Sequence, residues 1–198
     1  MHRRKRRKPK YQEGTPPVGG TGAVNAGTLN RWGVMKRIIL HWSAGTYKPN
    51  AHEKACYHYL IDDKGKCHTG KYAPEDNLDC RDGLYAAHTG GQNTGSIGVC
   101  MCGMHGYRSP IEVGDFPLTK IQAESTFKIC ALLCRKYEIP IDKDHVKTHR
   151  EVGLELPRSS SAGKIDITYL PFEPNLYPDE IGEYIRNKVR WYYKRLGY

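Results

Sequence analysis

Long apolar stretches are missing from this sequence. No run approaches the roughly 18 apolar residues that a membrane-spanning helix needs, so we expect no span. The basic start of the chain is not followed by the apolar region of a secretory signal peptide either, because residues 11–30 are rich in Gly, Pro and Thr. We therefore expect no standard export signal, and a separate route of release if the protein acts outside the cytoplasm.

Paired cysteines of the Cys-x-x-Cys type are missing too. The seven cysteines, an odd number, fit neither a disulfide framework nor a finger-type zinc site. We expect reduced thiols in the core, with Cys130 and Cys134 on one face of a helix and Cys100 and Cys102 on one face of a strand. An alternative metal site, with no familiar ligand spacing, would consist of Cys56, Cys67, His68 and Cys80.

Positive charge is concentrated at the start of the chain. The formal net charge of the 198 residues is +10, and seven basic residues within residues 1–10 account for all but +3 of it. Residues 3–10 should attract polyanions such as nucleic acid or lipopolysaccharide in a salt-dependent way, unless they only keep the chain in solution. Because residues 1–31 offer little to bury, we predict a disordered polybasic arm and Gly/Pro-rich linker there and one domain over residues 32–198.

Short runs of branched and aromatic residues predict strands. The run at residues 38–40 suits a strand buried on both faces, and Gly45 marks where it stops. Further strands are predicted at residues 57–61, 66–72, 96–101 and 146–149, the first two as a hairpin. Gly98, inside one of them, predicts close approach by another backbone or a ligand.

Three segments carry helical patterns. Residues 51–56 predict a short helix. The strongest pattern begins at a capping box of Thr119 and Gln122 and ends before Pro140, and we expect its apolar stripe, which includes Ile121, to pack in the core. In a last helix over about residues 179–196, we expect the apolar stripe to lie on the sheet and the basic residues, Arg186 among them, to face solvent.

Two histidines each end a predicted strand, and a carboxylate follows the second of them. His41 ends the strand at residues 38–40, His149 ends the strand that begins at residue 146, and Asp166 comes after a loop. Two neutral imidazoles and one carboxylate can hold Zn²⁺ and leave its fourth position to water, which then loses a proton near neutral pH. Since other His and Asp residues are available, spacing alone does not specify this set.

Four separated segments occur in a recognisable order. They are residues 39–44 (Ile-Leu-His-Trp-Ser-Ala), 57–61 (Tyr-His-Tyr-Leu-Ile), 88–100 (His88, Asn93 and then Ser-Ile-Gly-Val-Cys) and 148–152 (Thr-His-Arg-Glu-Val). Together they resemble the type 2 N-acetylmuramoyl-L-alanine amidases, the family that includes the phage T7-type lysozyme and is related to the peptidoglycan recognition proteins. The resemblance covers about residues 36–172. It implies a single α/β domain in which a central mixed β-sheet is flanked by α-helices.

The resemblance also implies a set of site residues. His41 and His149 match the family's two zinc-binding histidines, and Asp166 matches the aspartate version of its third ligand. Lys164 matches a lysine near the substrate carbonyl, where it would stabilise an oxyanion. Tyr57 matches the tyrosine of the catalytic members, which would hydrogen-bond the water or the intermediate and help to transfer protons.

The connection from His149 to Asp166 departs from the family pattern. Residues 158–162 look like an insertion, which leaves room for other ligands. The alternatives are the carboxylates Asp144 and Glu151 and the imidazole His145.

The implied reaction is zinc-dependent hydrolysis of the amide between N-acetylmuramic acid and the L-alanine of the stem peptide, with one zinc ion. His88, Trp42 and Asn93 would bind substrate. We expect a phage endolysin or virion-associated lysin, made in the host cytoplasm and acting on bacterial peptidoglycan at the cell wall or periplasm. Residues 3–10 would then reach anionic envelope polymers rather than nucleic acid. The alternative is a non-catalytic peptidoglycan-binding module of the same fold.

Overall fold

A computed structural model describes residues 33–197, and in it five strands form one mixed sheet. In chain order they are β1 (Arg37–Trp42), β2 (Tyr59–Ile61), β3 (Cys67–Thr69), β4 (Ser96–Met101) and β5 (Val146–Thr148). Their order across the sheet is β3-β2-β4-β1-β5. Only β3, in the hairpin with β2, runs antiparallel to its neighbour. The predicted arm, residues 1–31, lies outside the described residues.

Helices flank this sheet. They are α1 (Ala51–Cys56), α2 (Lys120–Lys136), α3 (His149–Glu155) and α4 (Pro178–Arg195), and two short 3₁₀ segments lie at Pro74–Leu78 and Cys80–Asp82. The chain between Gly33 and Gly197 contains no helix that is both long and apolar enough to cross a membrane. The prediction of a single α/β domain with a central mixed sheet and flanking helices is confirmed.

Alternation along β1 separates core residues from site residues. Ile38, Leu40 and Trp42 belong to the main hydrophobic cluster, together with Phe127 of α2. Because successive side chains of a strand point to opposite faces, His41 points away from that cluster. Both faces of β1 are nonetheless buried, as the unbroken apolar run predicted.

The start of α2 follows the sequence closely. The Thr119 hydroxyl accepts a hydrogen bond from the Gln122 backbone N–H, and the Gln122 side chain accepts one from the Thr119 N–H, which together form the predicted capping box. Ile121, in contrast, is exposed rather than part of the packed stripe.

The last helix departs from the prediction. Since α2 already covers this face of the sheet, α4 packs mainly against α2 and reaches the sheet chiefly at β5. Arg186 is buried rather than solvated, and its guanidinium donates to the Glu151 carboxylate and to the Val146 carbonyl, each at 3.0 Å. A basic residue predicted to face solvent therefore joins α4 to α3 and β5.

The predicted strand at residues 146–149 ends one residue early, and His149 is the first residue of α3. Thr148 caps this helix, because its hydroxyl accepts from the Glu151 N–H while the Glu151 carboxylate accepts from the Thr148 N–H. The Thr-x-x-Glu pattern that signals such a helix start was present in the sequence. His149 therefore lies on the first turn of a helix rather than at the free end of a strand.

All seven cysteines are free thiols, as predicted, but three of them do not lie in the core: Cys67 is exposed, and Cys56 and Cys80 are half-buried. Cys100 and Cys102 lie in one small buried cluster with Leu60, and Cys130 and Cys134 are both buried in the main cluster.

Candidate metal centre

His41, His149 and Asp166 meet at the carboxyl ends of β1 and β5. The two strands are parallel, with Leu40 opposite Thr148, so the next residue of each is a histidine at the same edge of the sheet. Asp166 Oδ2 lies 2.9 Å from the Nδ1 atom of His41 and 2.9 Å from that of His149. The three atoms all lie within 4.8 Å of one another, and the three residues are buried. Side chains distant in sequence thus present three ligand atoms to one point.

The outer nitrogen of His149 has a defined partner. Its Nε2 lies 3.0 Å from Ser161 Oγ, and that hydroxyl donates to the Gly90 carbonyl at 2.8 Å. Because a carbonyl only accepts, the serine proton goes to Gly90 and Ser161 Oγ is left to accept from His149. We therefore assign the proton to Nε2 in the form of His149 that carries only one.

The outer nitrogen of His41 is held in a similar way. Its Nε2 lies 3.3 Å from both His88 Nδ1 and Thr89 Oγ1. His88 Nε2 lies 3.3 Å from the Ser96 carbonyl, which can only accept, so His88 carries its proton on Nε2 and accepts on Nδ1 from the Thr89 hydroxyl at 2.8 Å. His41 Nε2 is then the donor to this pair, and we assign the proton of its neutral ring there.

These assignments leave lone pairs on the inner atoms of the cluster. Burial lowers the pKa of His41, which favours a neutral ring with a single proton. Burial by itself raises the pKa of the Asp166 carboxyl, whereas hydrogen bonds from His149 and His41, which need a proton on the inner nitrogens in place of a metal ion, would hold that pKa well below its ordinary value. Two nitrogen lone pairs and a carboxylate repel one another unless a cation lies between them. The donor set therefore fits a divalent metal ion of the kind that takes imidazole and carboxylate ligands.

A cavity of about 350 Å³ opens over this cluster. Several predicted site residues line it: Trp42, Tyr57, His88, His149, Lys164 and Asp166. The Tyr57 ring centroid lies 5.1 Å from that of His41, and burial raises the pKa of the phenol far above its ordinary value. Lys164, in contrast, is exposed at the rim. The cavity thus joins a buried neutral phenol and an accessible ammonium to the three inward-facing ligand atoms.

The sequence matches the family model described as N-acetylmuramoyl-L-alanine amidase over residues 31–164. This chain belongs to that family. The matched part ends at Lys164, two residues before Asp166.

Solved structures of similar shape include amidases and recognition proteins. The N-acetylmuramoyl-L-alanine amidase LysC from Clostridium intestinale URNW is 16% identical, with 80% of this chain and 88% of that chain covered and a TM-score of 0.48. A mutant of PlyL is 22% identical, with 78% and 84% covered and a TM-score of 0.48. Drosophila peptidoglycan recognition protein SD is 15% identical, with 64% and 74% covered and a TM-score of 0.42. None of the curated protein sequences matches this chain.

In this member of the amidase family, the three residues predicted to bind substrate differ in their burial, in their hydrogen-bond partners and in whether they line the cavity. Trp42 lines the cavity but is largely buried, with its ring centroid 4.9 Å from that of Tyr107. His88 lines it too, although both of its ring nitrogens have partners within the protein. Asn93 lies away from the lining, where its Oδ1 accepts from the Thr89 N–H at 2.8 Å. Asn93 therefore holds the shape of the loop that carries His88.

Gly98 explains how the His88 ring reaches the sheet. A Cβ atom at this position would lie 2.6 Å from His88 Cγ, closer than real contacts allow. The sequence predicted a close approach at Gly98 by backbone or ligand, and the approaching group is instead the imidazole of His88.

The alternative ligands lie elsewhere in the amidase domain. Glu151 caps α3 and pairs with Arg186, and His145 Nδ1 lies 2.6 Å from Asp142. His68 pairs with Asp62 at 2.9 Å, so the alternative site of Cys56, Cys67, His68 and Cys80 does not assemble. Within residues 33–197, one group of three or more His, Cys, Asp or Glu side chains is close enough to share a metal ion. It consists of His41, His149 and Asp166.

No sequence pattern indicated Ser161 and Thr89, which contact the outer nitrogens of His149 and His41. Ser161 lies in the segment identified only as an insertion, and Thr89 lies in a Gly-rich loop of which only His88 and Asn93 were singled out. Their contacts join segments far apart in the chain, so no local pattern could have pointed to them.

Proposed function

We propose that this chain is a zinc-dependent peptidoglycan hydrolase that cleaves the amide between N-acetylmuramic acid and the L-alanine of the stem peptide. One observation carries the proposal: three buried side chains, His41, His149 and Asp166, turn their ligand atoms toward one point, and two of them, His149 and Asp166, line an open cavity. Membership of the amidase family supports the choice of bond.

The Nδ1 atoms of His41 and His149 and Oδ2 of Asp166 would hold the zinc ion. When bound, such an ion supplies Lewis-acid chemistry, because it polarises a carbonyl and lowers the pKa of a water molecule. The hydrogen bonds to the outer nitrogens keep both rings in the tautomer that can bind the metal.

Tyr57 would act as a hydrogen-bond donor to the reacting carbonyl oxygen. Its phenol lines the cavity beside His41, and because burial raises its pKa, the proton stays on the oxygen across the neutral range. A preorganised donor of this kind stabilises negative charge as it develops on the carbonyl oxygen.

Lys164 would add to that stabilisation from the exposed rim of the cavity. Its ammonium lies at the exposed rim, two residues before Asp166, where it can reach the oxygen of a bound substrate. Trp42 and His88 would form walls against which the glycan or the peptide lies, while Asn93 would act through the loop that carries His88.

We further propose that the protein acts as a phage endolysin or virion-associated lysin, made in the host cytoplasm and acting at the bacterial cell wall or periplasm. Bacterial peptidoglycan is then its partner. Residues 3–10, which carry seven basic side chains, would draw it to anionic envelope polymers.

The test is to digest isolated cell wall with the purified protein and analyse the products by mass spectrometry. We expect the turbidity of the wall suspension to fall, soluble stem peptides with a free N-terminal L-alanine to appear, and both effects to stop after chelation and return with zinc. New reducing sugar ends in place of free L-alanine would identify a glycosidase and overturn the proposal.

A matched variant separates this enzyme from a binding module. His149→Ala should abolish product release while the protein still sediments with cell wall. If the wild-type protein binds wall and releases nothing at any zinc concentration, the chain is a non-catalytic recognition module.

A further inference from the structure

Residues 158–162, the segment that we predicted to be an insertion, place a buried hydroxyl beside the candidate metal centre. Ser161 has no exposed surface, although its neighbours Ser160 and Ala162 are exposed. Its Oγ lies 3.0 Å from His149 Nε2 and donates to the Gly90 carbonyl at 2.8 Å. Ser161 is therefore turned inward, against the general tendency of serine in a surface turn.

The backbone around Ser161 holds this orientation. The Ser161 N–H donates to Ser159 Oγ at 3.1 Å, and the Ser161 carbonyl accepts from the Lys164 N–H at 3.2 Å. A Cβ atom at Gly153 of α3 would lie 2.2 Å from that carbonyl, so the segment packs directly on the helix that carries His149. The insertion thus rests on α3 and on the Gly90 loop at once.

We propose that Ser161 is a positioning residue for the metal centre. Its hydroxyl accepts a hydrogen bond from the Nε2–H of His149 and donates one to the Gly90 carbonyl. This arrangement selects the tautomer of His149 whose Nδ1 lone pair faces Asp166, and it fixes the rotation of the ring. The inference rests on the proposed function, because it requires that His149 binds a metal ion.

The chain segment between His149 and Asp166 explains why a contact from Ser161 to His149 would matter. Asp166 follows His149 by 17 residues, so a connection that packed on nothing would leave the relative position of the two ligands loose. Ser161 places a contact to His149 within that same connection. Loss of such an outer hydrogen bond typically weakens metal binding about 10- to 100-fold.

The experiment compares Ser161→Thr with Ser161→Val, two side chains of the same shape that differ in the hydroxyl. Metal-free protein is titrated with Zn²⁺ in competition with a chromogenic chelator of known affinity. We expect Ser161→Val to bind zinc about 10-fold or more weakly than Ser161→Thr. Ser160→Ala, a change at the exposed neighbouring serine, should bind like the wild type and serves as the control.

Thermal unfolding of the metal-free forms separates this effect from folding: Ser161→Val should melt somewhat lower than Ser161→Thr, because His149 and Gly90 lose a partner, and zinc affinities are compared at a temperature at which both variants are folded. Equal zinc affinity of the Thr and Val variants would overturn the role of the Ser161 hydroxyl, whether that affinity is high or low. A wild-type protein that binds no zinc would overturn the proposed function itself, and the two failures are therefore distinguishable.

Discussion

His58 should make the fold sensitive to mild acid. It is buried in the sheet, where its Nε2 donates to Asn77 Oδ1 at 3.0 Å and its Nδ1 accepts from the Gly98 N–H at 2.9 Å. Both contacts suit a neutral ring, and burial lowers its pKa to about 4. In the unfolded chain the same group titrates near 6.5. Between these two values the unfolded state holds a proton that the folded state does not.

Above about pH 6.5, His58 should therefore add no pH dependence to the free energy of unfolding. As the pH drops from about 6.5 toward 4, that free energy should fall. One pKa unit corresponds to about 1.4 kcal/mol, so lowering the pH from 7.5 to 5 should cost about 2 kcal/mol through this residue alone. Other groups contribute as well, since burial also lowers the pKa values of His41 and His88. A comparison between variants is needed to isolate His58.

His58→Gln provides that comparison, because an amide can donate to Asn77 and accept from Gly98 but does not titrate. Urea unfolding of the metal-free proteins at pH 7.5 and pH 5 gives the free energy of unfolding in each case. We expect the variant to be less stable at pH 7.5, yet to lose about 2 kcal/mol less than the wild type on acidification. Equal losses in the two proteins would refute a buried neutral His58.

Three further substitutions test the site. Asp166→Ala should remove measurable zinc from the purified protein, as metal analysis would show, because it deletes the anionic ligand; full zinc content would exclude Asp166 as a ligand. Tyr57→Phe should keep its zinc and, in assays on cell-wall fragments, lower kcat about 100-fold with little change in KM. This is the effect expected when a hydrogen-bond donor to the transition state is lost, and an unchanged kcat would exclude that role for Tyr57. Gly98→Ala should destabilise the protein by about 1–3 kcal/mol in urea unfolding, because its Cβ would displace the His88 ring, and unchanged stability would contradict that packing.

Where local chemistry decides structure, the sequence was sufficient. The branched run before His41 predicted a strand buried on both faces, and the capping box at Thr119 predicted the start of α2. The same pattern at Thr148 and Glu151 is typical of a helix start such as that of α3, but the β-branched residues Val146 and Thr148 suggested only a strand. A helix of seven residues leaves too short a periodic pattern to compete with that signal.

Where packing between distant segments decides, the sequence was insufficient. The burial of Arg186 depends on how α4 crosses α2, and no pattern within α4 encodes that crossing. The contacts of Ser161 with His149 and of Thr89 with His41 likewise need the folded sheet to bring their segments together. The resemblance to a family pointed to Asp166, whereas the residues that orient the histidines required coordinates.

The burial of Tyr57 and the exposure of Lys164 assign them different tasks in the proposed reaction. A buried phenol with a raised pKa donates the same proton at every pH at which the fold persists, so it can stabilise charge only through a fixed hydrogen bond. An ammonium at the open rim is solvated until substrate covers it, and its attraction to the reacting oxygen grows as water leaves. In the proposed reaction, Tyr57 would therefore supply a preorganised hydrogen bond, and Lys164 would supply an attraction that strengthens as substrate binds.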